Sequence, residues 1–199
     1  MDSVVDPVVD PVTAAAPRPM RADARRNYER ILVVAREAFL EHGASASLDD
    51  IARQAGVGPG TLYRHFPNRS ALLDAVYREN VDAICAKAYE LAQSEPPFEA
   101  LAEWLRFLAV NMSAHQGLKE AVAEENLDLT VWREMYYAAG DTLLDRAREI
   151  GALRPGVEVP DLFKLIHGCT QGTENSPDPT AQIDRILPII LDGLRAQPR

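Results

Sequence analysis

Cysteine is scarce in this chain. There are two, Cys85 and Cys169, far apart and each inside an apolar helical pattern. They read as reduced core thiols and not as a disulfide framework. Neither has cysteine or histidine neighbours at ligand spacing. His115, His167 and Glu174 lie on separate segments without such spacing either, so no metal is assigned. Long hydrophobic runs are missing too: nothing approaches the roughly 18 apolar residues of a membrane span. The start, Met1-Asp2-Ser3, has no basic cluster, and prolines interrupt its apolar residues, unlike a signal peptide. The expectation is a cytoplasmic protein with no membrane partner. Nucleophile elbow, phosphate-binding glycine loop and zinc motif are all lacking, so neither enzyme chemistry nor a cofactor is expected. Strand-type alternation is absent as well.

An excess of basic charge is also lacking, which at first argues against nucleic acid: the net charge is −9. Its distribution changes that reading. Residues 21–80 hold nine Arg against eight Asp and Glu, whereas residues 81–199 hold eleven Lys and Arg against nineteen Asp and Glu. The acidic load therefore lies outside the first helical unit, where a few well-placed cations must act.

What is present is helical periodicity. Residues 1–20 read as a tail whose repeat Val5-Asp6-Pro7-Val8-Val9-Asp10-Pro11-Val12 blocks helix and packs little, and Met20 is a candidate alternative translation start. From about Asp23 the apolar residues Ile31, Val34, Ala35, Ala38 and Phe39 recur at steps of three and four, up to His42-Gly43. Ser47 is placed to cap a second helix, with Asp50 reaching back in a capping box; that helix ends at Ala55-Gly56. A third opens at Gly58-Pro59, where proline suits the first helical position, and Pro67 stops it. Asn68 caps a fourth, running to about Gln93. Beyond Pro96-Pro97, helices are expected over Phe98–His115, Leu118–Glu125, Leu129–Ile150, Pro160–Thr173 and from Asp178 onward. Phe98–His115 is apolar nearly all round, as in a centrally buried helix. The predicted fold is all-α, with a disordered tail (1–20), a three-helix helix-turn-helix domain (21–68) and a helical ligand-binding and dimerisation domain (69–199).

The segment SLDDIARQAGVGPGTLYRHFPNR, Ser47 to Arg69, carries the function. Two short helices joined by a glycine-containing turn make a helix-turn-helix, whose second helix presents its first residues to the major groove. Gly58 and Gly60 permit close backbone approach. Thr61 offers a hydroxyl and a methyl, and Tyr63 a ring with a terminal hydroxyl. His65 and Arg69 are donors near the end of the recognition helix and the start of the next. Ile51, Ala55, Val57 and Leu62 are placed to hold the two helices together.

The run GVGPGTLYRHFPNRSALL, with SLDDIARQA and YERILVVAREAFLEHG before it, resembles the DNA-binding region of the tetracycline-repressor (TetR) family from about Arg25 to Val76. Three helices and both turns agree in order and spacing; beyond Val76 the likeness is general. The resemblance implies a homodimeric transcriptional regulator with a small-molecule pocket in its C-terminal domain and a four-helix dimer interface from the last two helices. It places Pro59, Gly60, Thr61 and Tyr63 against bases or the adjacent backbone, and Ser47, Tyr63, His65 and Arg69 against phosphates. Asp49 stands where some relatives hold a basic contact, and its charge repels phosphate.

Trp104, Phe107, Asn111 and His115 lie at helical spacing, as do Trp132 and Tyr136. With His167 they form the expected ligand site, aromatic walls with a few polar groups; single residues of the set also fit ordinary core packing. Leu165, Cys169, Gly172, Ile183, Leu187, Ile190 and Leu194 form the expected dimer surface, against the alternative that these helices complete the monomer core. The expected function is a repressor that binds a palindromic double-stranded DNA operator as a homodimer and responds to an unknown small-molecule effector. The alternative is a DNA-binding regulator that answers to a protein partner instead.

Overall fold

In the computed structural model, residues 22–94 and 96–196 are described. The proposed tail and the Met20 start lie outside these residues. The described chain is helical: α1 (Ala22–His42), α2 (Leu48–Gln54), α3 (Pro59–His65), α4 (Arg69–Ser94), α5 (Pro97–Ala114), α6 (Gln116–Glu124), α7 (Thr130–Glu149), α8 (Val159–Thr173) and α9 (Pro179–Leu194). A 3-10 turn, Gly43–Ser45, follows α1. Extended pairing among the described residues is limited to one isolated bridge, Leu153 to Arg195. No helix among them is long and apolar enough to cross a membrane.

Local chemistry sets the helix ends. Gly43 follows α1 at φ +51°, the left-handed region that glycine adopts without penalty. Ser47 Oγ accepts from the Asp50 amide (3.4 Å), but the Asp50 carboxylate accepts from Arg53. The expected capping box is thus half formed, because a nearby guanidinium attracts the carboxylate more strongly than a backbone amide does. Asn68 and Asp178 cap α4 and α9 through the amides of Ala71 (2.8 Å) and Ala181 (2.9 Å).

Two apolar cores result. The first joins Ile31, Phe39, Ile51, Leu62, Phe66 and Leu72 to Leu118, Ala121 and Val122 of α6. The second surrounds α5 through Leu101, Trp104, Leu105 and Leu108, with α7, α8 and α9 contributing Leu143, Ile166 and Ile183. Packing does not divide at residue 68. The first turns of α4 and the whole inner face of α6 belong to the core of the N-terminal helices. Tyr77 of α4 packs against both cores.

Candidate DNA-binding surface and ligand cavity

The turn between α2 and α3 rests on Gly56 (φ +65°); a Cβ there would stand 2.5 Å from the Arg30 guanidinium. Arg30 in turn donates to the Ala55 carbonyl. Leu62 is fully buried and fixes α3 against α1 and α2. Its opposite face is open. Pro59, Gly60, Tyr63 and Arg64 are exposed, and Thr61 is half-buried. A Cβ on Gly58 or Gly60 would meet nothing within 4 Å, so the fold itself does not require glycine there. Exposed Ser47 uses its hydroxyl oxygen as the α2 cap. His65 is half-buried, its ring edge-on to Tyr28 at 5.9 Å between centroids.

Arg69 is committed elsewhere. Its guanidinium donates to the carbonyls of Gly43 (3.2 Å), Ala44 (2.7 Å) and Ala46, pairs with Glu125 (3.3 Å) and lies over the Phe39 ring. It ties the loop after α1 to α4 and α6, and these contacts occupy four of its five N–H donors. Arg25, Arg26 and Arg53 are exposed but paired with Glu29, Asp23 and Asp50. Arg64, on the open face of α3, has no partner among the described residues. One arginine in a short helix carries no pattern that marks it in the sequence.

Behind this unit lies a cavity of about 350 Å³ walled by α4 to α8. Four of the seven expected ligand residues line it: Asn111, His115, Tyr136 and His167. Tyr136 stacks on Phe163 (4.6 Å, 23°), and Tyr137 tilts against the same ring (5.1 Å). Burial and the neighbouring tyrosines push the Tyr136 phenol well up, so it stays protonated as a hydrogen-bonding group. His115 Nδ1 donates to the Asn111 carbonyl at 2.7 Å.

The other three expected ligand residues stand outside the cavity. Trp104 is fully buried; its indole N–H donates to the Ile84 carbonyl (3.1 Å), and its ring meets Phe163 edge-on at 5.7 Å. It supports the wall from behind. Phe107 packs against the second core. Trp132 donates to Asp74 (3.0 Å) and lies beneath Arg78, 4.9 Å from its centroid, so it fastens α7 to α4. Tyr77, Lys119, Tyr137, Phe163 and Lys164 line the cavity without having been singled out from sequence.

Comparison with known proteins decides the family. Residues 31–76 match the family model for bacterial regulatory proteins of the tetR family, and residues 96–196 match that of the SbtR-like transcriptional regulator C-terminal domain. The chain belongs to the TetR family. This is a family of DNA-binding transcriptional regulators, not of enzymes. A TetR regulator of Streptomyces coelicolor is similar at 36% identity and TM-score 0.71, over 86% of this chain and 99% of that one. A TetR regulatory protein of Mycobacterium vanbaalenii is similar at 36% identity and TM-score 0.70, over 89% and 100%. An HTH-type transcriptional regulator of Staphylococcus aureus is 29% identical over 120 residues, 59% of this chain and 65% of that relative's length. The all-α architecture agrees with these TetR structures.

In this TetR chain the expected dimer residues divide into two groups. Cys169, Ile183, Leu187 and Leu194 are buried inside the protomer, in the second core. Leu165 (46% exposed) and Gly172 are on the surface, and Ile190 is half-buried. Ile189, at 72% exposed the most exposed large apolar side chain of α9, was not singled out from sequence. The stripe Ile183–Leu187–Leu194 is the inward face of α9; Leu165 and Ile189 are what the two helices leave uncovered.

Proposed function

We propose that the protein is a ligand-responsive repressor that binds a palindromic operator as a homodimer. The observation that supports this most is the placement of α6. Leu118 and Val122 belong to the core beneath the helix-turn-helix and also line the cavity. A molecule that fills the cavity therefore touches the packing of the DNA-reading unit directly. Tyr77 of α4 gives a second such link. Ligand acts only by preferring the arrangement that does not fit DNA; a coupling of about 1–3 kcal/mol is sufficient for regulation. Bases are read by Pro59, Gly60, Thr61 and Tyr63, and phosphates by Ser47, Tyr63, His65 and, in place of Arg69, Arg64.

The test is a pull-down of fragmented genomic DNA to recover the operator, followed by titrations at several salt concentrations. Arg64→Ala is expected to weaken binding on all sequences and reduce the salt slope by about 1, the signature of one lost phosphate contact. Arg69→Ala is expected to keep the slope and instead lower folding stability by about 2 kcal/mol or more, since it strips charged hydrogen bonds from three carbonyls. The reverse pattern would return Arg69 to the phosphate list and remove Arg64.

The homodimer places Leu165, Gly172, Ile189 and Ile190 against the same surface of a second copy. Ile189→Asp is expected to yield folded monomers in sedimentation velocity, because it introduces a charge into an apolar contact without touching the protomer core. A dimer that survives this change rules out the α8–α9 face.

A further inference from the structure

The cavity's charge is opposite to that of the protein around it. The chain carries 30 acidic side chains against 21 Lys and Arg, yet among the described residues the lining holds no Asp or Glu and does hold Lys119, Lys164, His115 and His167. Lys164 is turned towards Asp161 (3.7 Å). Lys119 has no carboxylate partner among the described residues. Its ammonium lies 3.3 Å from His167 Nδ1. Burial and the adjacent Lys119 push the His167 pKa down, so the ring is neutral near neutral pH. Lys119 then donates to Nδ1 and the imidazole proton sits on Nε2. Lys119 is exposed, and its positive charge and its remaining N–H donors stay available to a bound anion. The neighbouring Glu174 carboxylate accepts from Gln116 (3.1 Å).

Beside these cations the lining is aromatic: Tyr136 stacks on Phe163, and Tyr137 tilts against the same ring. The volume, about 350 Å³, is at the small end of ligand sites, which run from about 300 to 1,000 Å³.

Resting on the ligand-responsive reading, we propose that the effector is a compact aromatic carboxylate: its carboxylate meets the Lys119 ammonium and its ring occupies the space lined by Tyr136, Tyr137 and Phe163. Among the described residues no arginine lines the cavity, and a dianionic phosphate would be left under-neutralised.

Matched naphthalenes test this on the full-length dimer by calorimetry and melting: 2-naphthoate, its primary amide and its aminomethyl analogue. The acid is expected to bind about tenfold more tightly than the amide and to outbind the cationic analogue by more. Lys119→Gln is expected to erase the preference for acid over amide while leaving amide binding in place. Equal binding of acid and amide, preference for the cation, or no binding of any member at millimolar concentration would overturn the proposal. Operator release, followed by fluorescence anisotropy, separates the two ideas. An acid that binds without releasing DNA leaves the ligand class standing and defeats the repressor reading. A neutral or cationic member that binds best and releases DNA does the reverse.

Discussion

Trp104→Ala is expected to lower the stability of the protein by about 3–5 kcal/mol, the range for removing a large aromatic from a packed core. The ring is fully buried, so its whole side-chain volume becomes a void. The indole N–H also leaves the Ile84 carbonyl, which loses a side-chain donor from α5. Gly140 shows how tightly α7 is fitted around this residue. A Cβ there would stand 2.8 Å from the far edge of the indole and 3.0 Å from Val159, so the absence of a side chain at 140 makes room for Trp104. Trp104→Phe should lie well below Trp104→Ala in cost, since most of the volume is retained and the hydrogen bond is the main loss. Urea denaturation with a common slope for all three proteins measures these differences. A loss below about 1 kcal/mol for the alanine variant would mean that α5, α7 and α8 collapse into the space, and that Phe163 can support the cavity wall without its edge contact to Trp104.

This residue also shows what the sequence revealed and what it concealed. Trp104, Phe107, Asn111 and His115 share one stripe of α5, and helical period identifies such a stripe well. Period does not say where along the stripe close packing ends and a cavity begins. Here the change comes near Leu108: Trp104 is sealed in the core, whereas Asn111 and His115 line open space. The same limit applies to α9. Its apolar residues cover two faces; Ile183 and Leu187 were legible as apolar, but which face met the protomer depended on where α5 and α8 lay. Helix ends, by contrast, were legible nearly to the residue, because Ser47, Pro59, Asn68 and Asp178 act on the backbone within three positions of themselves. The role of Arg69 was hidden for the opposite reason. Its acceptors are carbonyls more than twenty positions earlier in the chain, and carbonyls have no residue signature. Lys119 and His167, forty-eight positions apart, likewise become a pair only when α6 and α8 converge.

Gly117→Ala is expected to reduce operator affinity by about tenfold or more while leaving the protein folded. Gly117 opens α6 directly against the end of α1. A methyl group there would lie 2.5 Å from the Leu40 carbonyl oxygen and 2.6 Å from that of Phe39. Both obstacles are backbone, so no rotamer change relieves the clash, and α6 must shift away from α1. The cost of such an inserted methyl is about 1–3 kcal/mol, too small to unfold a typical domain. The shift is transmitted, because the next residue, Leu118, is fully buried in the core beneath the helix-turn-helix, and Glu125 at the far end of α6 holds Arg69. The substitution thus forces, without ligand, a movement of the helix through which the cavity reaches the DNA-reading unit. A titration of operator DNA together with a melting curve distinguishes the possibilities. Weakened operator binding with a modest fall in Tm, and an effector response smaller than that of the unaltered protein, identifies α6 as the element that carries the signal. Undiminished operator affinity would show that the reading heads tolerate displacement of α6, and would leave Tyr77 of α4 as the route between cavity and DNA.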